Sequence, residues 1–473
     1  MRIIIVGCGS VGVTIAQHLS QENNDIVIID KNDSAFERVT ETLDVMVQRG
    51  NGLSSRVLSL AGVSETDLVI AVTHSDESNI LCALTAKKLG AKHTIARVRD
   101  PDYASDLNSF RTDLGLDLII NPEYQAALEI ARLLHFTSAD NIDTFVSGRV
   151  ELVSFHLSEG SSLIGKNLQQ AFPRDMVDVL VATVERGNEA IIPHGTFTLQ
   201  LNDVVRVMGS IASINRFFSY IGSPRSKVKQ VMVVGGGIIS QYLVRELLRE
   251  KIAVKLIEID RKRCEELNET LPGCTIIHGD GTDEDLLEDE DVAQTDAVIS
   301  LTSRDEENVF IGLYALNLGA GKAIVRINNA RSSLVRQLGL SSTVAPQSIT
   351  AYQIIRYVRG LQSRESSSSI RTMYKIAQSE TGYVEALEFA VTSTCRCLGI
   401  PIKDMPLKTG ILVGCIVRQG VIISPSGNTS IHPGDTVVII AKDYRIDDLE
   451  DILQEEDDLL SSYPPLESNS HEN

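Results

Sequence analysis

The chain has 473 residues and a formal net charge of −19, from 44 Lys+Arg against 63 Asp+Glu. At about 100–200 residues per domain, this length suggests two to four domains. The acidic balance argues against a binder of exposed DNA or RNA, whose surface is usually basic.

No run approaches the ~18 consecutive apolar residues of a membrane span. The longest apolar strings, such as Leu68–Val72 and Val437–Ala441, have strand length. The N-terminus enters a strand directly, so no signal peptide is expected. Seven cysteines are scattered along the chain without a C-x-x-C pair. Neither a zinc site nor a disulfide framework is therefore expected, and a reducing compartment is the simplest setting. Cys395 and Cys397 read as structural or surface residues.

In chain order, the first element is a strand over Ile3–Val6. Gly7-Cys8-Gly9-Ser10-Val11-Gly12 follows, a full G-x-G-x-x-G. Val13, Ile15, Ala16 and Leu19 then suit the apolar side of a crossover helix. A second strand, Asp25–Ile29, ends on Asp30. Strand, glycine turn, helix, strand and acid form the context of a dinucleotide-binding unit. Gly7 permits the turn, Gly9 lets the backbone approach a pyrophosphate, and Gly12 lets the helix pack on the sheet. The helix N-terminus offers free N–H groups to phosphate. Asp30 can accept from a ribose hydroxyl and repels a 2′-phosphate, which favours NAD(H) over NADP(H). The alternative is a Rossmann fold whose glycines serve only the turn.

Further strands are expected at Val45–Val47, Leu68–Val72, Thr94–Val98 and Leu116–Ile120, completing a doubly wound parallel sheet. Asn51, Thr73, His74 and Arg97 fall near carboxyl ends of strands, where ligands bind. Arg97 and Arg99 share a face. They suit either salt bridges to a helix or phosphate contact in the pocket or across an interface.

The pattern then recurs. Residues 230–258 repeat 2–30 at an offset of 228, pairing Gly7 with Gly235, Gly9 with Gly237 and Asp30 with Glu258. RGNG at 49–52 pairs with HGDG at 278–281, and THSDESNI from Thr73 with TSRDEENV from Thr302. Arg97 pairs with Arg326, and Pro122 with Pro346. The intervening segments also match: HGTFTLQLNDVVRVMG (194–209) aligns with SGNTSIHPGDTVVIIA (426–441). The layout is A–B–A′–B′, with boundaries at 1–138, 139–225, 226–362 and 371–455. Ser363–Arg371 reads as a linker, and 456–473 as an acidic disordered tail. In the second A unit, Gly235, Gly237, Ile238, Ile239 and Ser240 carry the turn. Ser240 replaces the third glycine, so helix and sheet are expected to pack less closely, and Asn328 stands where the first unit has Arg99.

A dehydrogenase needs a general acid or base near the nicotinamide, and the β-rich B units offer little of that kind. His74 is the best single candidate, but its counterpart is Ser303. No catalytic or metal-ligating set is assigned, and the chain is not expected to be an enzyme.

The A–B–A′–B′ plan, GCGSVG with Asp30, VVGGGIIS with Glu258, THSDESNI, TSRDEENV, ARVRDP and INPEYQAALEIARLL together resemble the TrkA family, the regulatory subunits of Trk-type potassium uptake. The resemblance spans residues 1 to about 455. It implies two Rossmann-like domains of RCK N-type, each followed by a small α+β RCK C-type domain. It further implies NAD(H) and ATP or ADP as ligands. The partners implied are a membrane potassium channel or transporter gated by the bound nucleotide, and further copies of the chain in a ring, a homotetramer. Nucleic acid and direct membrane insertion are not expected. The implied location is cytoplasmic, at the inner face of the membrane through a protein partner. In the first site it implies contacts from Gly7, Cys8, Gly9, Ser10, Val11, Gly12 and Asp30, with Asn51, Thr73, Arg97 and Arg99 lining the remainder. In the second it implies Gly235, Gly237, Ile238, Ile239, Ser240, Glu258, Asp280 and Thr302. A soluble NAD-dependent oxidoreductase and an RCK regulator of another cation system are the alternatives.

Overall fold

The computed structural model describes residues 1–454 except 23, 102, 104–113, 137–138, 174–177, 188, 223–227, 328–334, 336–337, 341, 363–367 and 380–381. The expected acidic tail over 456–473 and the Asn328 position lie outside the described residues.

The first segment runs β1 (Arg2–Val6), α1 (Ser10–Ser20), β2 (Asp25–Asp30), α2 (Asp33–Thr40), β3 (Met46–Arg49), α3 (Ser55–Leu60), β4 (Leu68–Ala71), α4 (Asp76–Lys88), β5 (His93–Arg97), β6 (Leu118–Ile120) and α5 (Pro122–Leu134). Its six strands are parallel, in the order β3-β2-β1-β4-β5-β6. Ile3, Ile4, Ile5, Ile28 and Ile29 are wholly buried, as expected of a parallel sheet covered by helices on both faces. The order reverses between β1 and β4, and that switch point is where an open α/β sheet leaves a crevice.

The second segment holds β7 (Asn141–Phe145), β8 (Val150–His156), α6 (Leu168–Ala171), β9 (Leu180–Arg186), β10 (Glu189–Ile191), β11 (Val204–Ser210) and α7 (Ile211–Tyr220). Its sheet has the order β10-β9-β11-β8-β7, with antiparallel ladders at β8, β9, β10 and β11.

The third segment repeats the first: β12 (Gln230–Val234), α8 (Ile238–Arg249), β13 (Ala253–Glu258), α9 (Arg261–Thr270), β14 (Thr275–His278), α10 (Glu284–Asp289), β15 (Ala297–Ser300), α11 (Asp305–Leu318), β16 (Ala323–Arg326), β17 (Ser342–Val344) and α12 (Pro346–Gln362). Its parallel order is β14-β13-β12-β15-β16-β17. The fourth segment holds β18 (Ser368–Ser379), β19 (Gly382–Val391), β20 (Ile411–Arg418), β21 (Val421–Ile423) and β22 (Thr436–Lys442), in the antiparallel order β18-β19-β22-β20-β21. Ser368–Arg371, expected in a linker, begins β18 instead. Its alternating backbone groups pair with β19 from Ser368 onward, and pairing of that kind fixes a segment that composition alone leaves loose.

Like segments join like. One compact unit comprises residues 1–142 and 225–355, and another comprises 143–224 and the residues from 356 on. In the first unit, the two Rossmann halves meet through α5 and α8. The Tyr242 hydroxyl accepts from Asn121 Nδ2 at 2.7 Å and donates to the Arg99 carbonyl at 2.9 Å. Its ring lies against Tyr124, with centroids 5.1 Å apart. Lys322, at the start of β16, sends Nζ to the carbonyls of Leu133, Phe136 and Ala139 at 2.9, 2.8 and 2.7 Å. These are orphan acceptors at and beyond the C-terminus of α5.

In the second unit the two sheets share one core. Phe145, Leu152 and Met208 from the first sheet pack with Ala386, Cys415 and Val438 from the second. Each sheet carries the same brace. Asp203 takes two bonds from Arg186, both at 2.8 Å, and one from the Gln200 amide. Asp435 takes two from Arg418, at 2.9 and 2.8 Å, and one from the His432 amide. The sequence repeat puts these aspartates at matching positions.

The cysteines depart from expectation. Cys395 and Cys397 are joined as a disulfide, with Cα atoms 5.5 Å apart. A turn after β19 brings the two side chains together, and a C-x-C spacing gave no sign of it. The other five cysteines take part in no disulfide.

Candidate nucleotide site

β1 runs directly into the glycine turn. Gly7 has φ +111°, and a Cβ there would meet the Val72 and Thr73 backbone at 3.0 Å. Glycine alone tolerates that combination cheaply. A Cβ on Gly12 would sit 1.9 Å from the Gly7 carbonyl oxygen, so helix–sheet contact itself excludes a side chain. Gly9 is different: a Cβ there meets nothing within 4 Å. It points into open space, which is what a backbone approached by a ligand requires. Gly9 also caps α1 in an extended conformation without a side-chain hydrogen bond, so the first N–H groups of the helix stay available.

That space is a cavity of about 590 Å³ at the switch point. Gly7, Cys8, Gly9, Ser10, Val11, Asp30, Asn51, Thr73, His74 and Arg97 all line it, with Lys31 and Asn32 beside them. Gly12 lies behind the wall and shapes it. Asp30 is held in place: one carboxylate oxygen accepts from the Cys8 amide at 2.7 Å and the other from the Asn32 amide at 3.0 Å. The carboxylate stands at the rim, where a ribose diol would meet it. An open glycine cradle, an uncapped helix N-terminus and a positioned acid fit the adenosine and pyrophosphate of a dinucleotide. Among the described residues no group of His, Cys, Asp and Glu suits a metal ion.

The two arginines go to carboxylates. Arg97 Nη2 meets Glu123 at 2.5 Å on α5. Arg99 takes Asp76 on α4 through its amide at 2.7 Å and Nε at 3.2 Å, and also donates to the His74 carbonyl. Arg99 therefore does not line the first cavity as expected. The Asp76 carboxylate at the start of α4 draws it aside, and it faces a second cavity of about 290 Å³ between the halves. Arg97 borders both cavities.

Of the second set, Gly237, Ile238 and Ile239 line this second cavity, together with Arg326. Gly235, Ser240, Glu258, Asp280 and Thr302 do not; of these, Gly235, Ser240 and Glu258 hold the equivalent turn together. Glu258 accepts from the Gly236 amide at 2.6 Å and from the Asp260 amide at 2.9 Å, as Asp30 does in the first half. Asp280 accepts from the amide and hydroxyl of Thr282, and these bonds hold its carboxyl below the usual range. Ser240 is wholly buried and donates its hydroxyl to the Gly235 carbonyl. The expected loose packing is thus replaced by a hydrogen bond at the contact that Gly12 leaves bare. Burial also pulls the Arg326 guanidinium down from its usual range, against the charges of Asp305 and Glu123.

Two residues escaped sequence reasoning. Asn79 Oδ1 accepts from the Thr73 amide and hydroxyl, both at 2.7 Å, and its Nδ2 donates to the carbonyls of Thr73 and Arg97 at 3.1 and 3.0 Å. Asn308 accepts from the Thr302 amide and donates to the carbonyls of Thr302 and Arg326 in the same way, while the Thr302 hydroxyl turns to the Arg304 carbonyl. Both sit inside the repeated D-E-S-N and D-E-E-N strings, so a repeated asparagine was the available signal.

The TrkA-N domain family matches residues 3–122 and 231–346, and the TrkA-C domain family matches 152–222 and 386–454. A "Trk system potassium uptake protein TrkA homolog" from Archaeoglobus fulgidus is 34% identical over 456 residues, covering 96% of this chain and 100% of that one. The TrkA of Halomonas elongata is 31% identical over 461 residues, covering 96% and 99%. Among solved structures, the GsuK RCK domain aligns with a TM-score of 0.61 at 17% identity, covering 93% of this chain and 92% of that one. The GsuK channel bound to NAD aligns at 0.60 and 17%, covering 93% and 76%. Tandem Rossmann sheets with their antiparallel companions define a tandem RCK-type fold. The chain belongs to the TrkA family.

Proposed function

We propose that this chain is the nucleotide-sensing subunit of a Trk-type potassium uptake system. In this reading it binds NAD(H) in the first cavity and adenine nucleotides as well, and the bound ligand gates a membrane potassium pore. The cavity carries the proposal: an open cradle at Gly9 faces a ribose-ready carboxylate at Asp30. Solved relatives of this fold include one bound to NAD, and the curated relatives are potassium uptake proteins. When bound, a dinucleotide would supply an ADP-ribose framework. The chain's own residues would bind its pyrophosphate on the α1 N-terminus and its ribose on Asp30. Ligand affinity that differs between two shapes of the protein shifts a partner's equilibrium without any bond being broken.

No helix among the described residues is long and apolar enough to cross a membrane. We place the chain at the cytoplasmic face, reached through the pore protein. Two Rossmann units per chain supply two copies of each docking face, so we place a ring of four chains beneath the pore. Calorimetry with NADH and NADPH, paired with light scattering, tests this reading. NADH binding tighter than NADPH to an oligomer is expected. NADPH binding tighter, or a strict monomer with nucleotide present, overturns it. Steady NADH turnover by the purified chain favours the oxidoreductase alternative.

A further inference from the structure

The loop after β19 carries two cysteines one residue apart. Their Cα separation of 5.5 Å lies within the ~4.4–6.8 Å that a disulfide spans without backbone movement. The sulfurs sit one layer below the surface. Cys395 is 4% exposed and Cys397 0%, yet Thr392, Ser393, Thr394 and Arg396 around them are all exposed.

Arg396, the residue between them, is anchored twice on one carboxylate. Its amide donates to Glu450 at 2.7 Å, and its Nε donates to the other oxygen at 2.8 Å. Glu450 lies in the short 3₁₀ turn Leu449–Ile452. The same stretch is tied to the loop before β20 by the Lys408 amide on the Ile452 carbonyl at 2.9 Å and by the Leu407–Leu453 bridge. The dithiol loop thus holds the segment that closes the second TrkA-C domain.

This bond is a poor staple. It closes a loop of three residues, and the unfolded-chain entropy removed by a cross-link shrinks with loop length. Disulfides on the cytoplasmic side of a membrane are mostly transient and redox-responsive, a clause that rests on the location proposed above.

We propose that Cys395 and Cys397 form a reversible redox-modification site, oxidised by a low-molecular-weight disulfide, whose state sets how firmly Arg396 holds the Glu450 segment. One cysteine thiolate attacks a sulfur of the small disulfide RSSR, and RS⁻ leaves. The second cysteine thiolate attacks the protein-bound sulfur, and the second RS⁻ leaves. The two protons released by the cysteines end on the two RSH products. One RSSR is reduced and one protein disulfide forms. Excess thiol reverses both steps.

The experiment equilibrates the full chain in graded mixtures of reduced and oxidised glutathione, quenches with acid, alkylates, and reads the Cys395–Cys397 peptide by mass spectrometry. Hydrogen exchange over residues 445–454 is followed on the same samples. The peptide should pass cooperatively from two alkyl groups to none as oxidised glutathione rises. Exchange over 445–454 should slow by about threefold on oxidation, as a local opening becomes rarer. Glu450→Gln should abolish that slowing while the thiol titration persists. Cys395→Ser should show the fast exchange in every mixture. Cysteines alkylated throughout, or blocked throughout, overturn the proposal, as does exchange that ignores the redox state. NADH titration of the same samples separates this result from the nucleotide reading, since either can fail while the other holds.

Discussion

Asn79 and Asn308 stand 229 positions apart, at matching sites in the two Rossmann halves, and each wires a threonine to an arginine backbone. Both are 0% exposed, and each carboxamide uses its oxygen and its nitrogen on the same partners. The wiring fixes the carboxyl end of β4 against that of β5 in the first half, and of β15 against β16 in the second. These are the ends from which a Rossmann sheet meets its ligand.

Replacing Asn79 by Leu should therefore act on stability before it acts on binding. The part-buried Thr73 amide and Arg97 carbonyl would lose their Asn79 partner, at up to about 1–3 kcal/mol each. We expect a clear fall in the thermal midpoint and a weaker NADH affinity. Asn308→Leu should lower the midpoint similarly. Thermal unfolding followed by circular dichroism decides, and a wild-type midpoint for Asn79→Leu refutes the assignment.

Gly9 and Gly12 separate binding from folding. Gly9→Val points two methyl groups into an open cavity, so the chain should fold with an unchanged midpoint and lose NADH binding in calorimetry. Gly12→Val drives a side chain into the Gly7 carbonyl, a contact of 1.9 Å for Cβ alone, and should cost several kcal/mol through strain and displaced packing. Poor expression or early unfolding is the expected readout for Gly12→Val alone.

The two halves should respond unequally to loss of their acids. Asp30 borders the 590 Å³ cavity, whereas in the turn that Glu258 braces Ser240 adds a side chain where the first half has Gly12. Asp30→Ala should weaken NADH binding by tenfold or more, about 1.4 kcal/mol, and remove most nucleotide-dependent potassium uptake. Glu258→Ala should have a smaller effect. The comparison belongs in the full chain, because severing residues 1–225 from 226–473 would divide both compact units. A larger loss from Glu258→Ala would reverse the ranking.

Lys322 predicts a pH dependence. Burial pushes its ammonium down from an ordinary 10.5 to about 8, against the opposing charge of Asp140. Between these two values the unfolded chain binds the proton and the folded chain does not. Stability therefore rises with pH over that window, and the contribution is lost as pH falls towards 8. The full span is on the order of 3 kcal/mol. Lys322→Met should lower stability by removing the donor to the Leu133, Phe136 and Ala139 carbonyls, and should flatten the rise between pH 8 and 10.5. Parallel denaturant melts of both proteins across that range give the difference directly.

Much of this was legible in one sequence because it is local or repeated. The glycine turn with Asp30 is a short string whose conformation depends on near neighbours, and the offset of 228 exposed two copies of it. The parallel sheets follow from apolar runs separated by helix-length segments. The destinations of Arg97 and Arg99 were legible only as alternatives, since a strand fixes which way a side chain points and not which carboxylate awaits it. Only the tertiary structure set Asp76 and Glu123 in their way.

It alone joined Rossmann half to Rossmann half through Tyr242 and Lys322, because those contacts cross more than a hundred residues and leave no periodicity. It alone turned Ser240 from an imperfect glycine into a donor, because the acceptor is a backbone carbonyl that no side-chain pattern encodes. And it alone brought Cys395 onto Cys397, because a turn's backbone angles decide whether two thiols one residue apart meet or part.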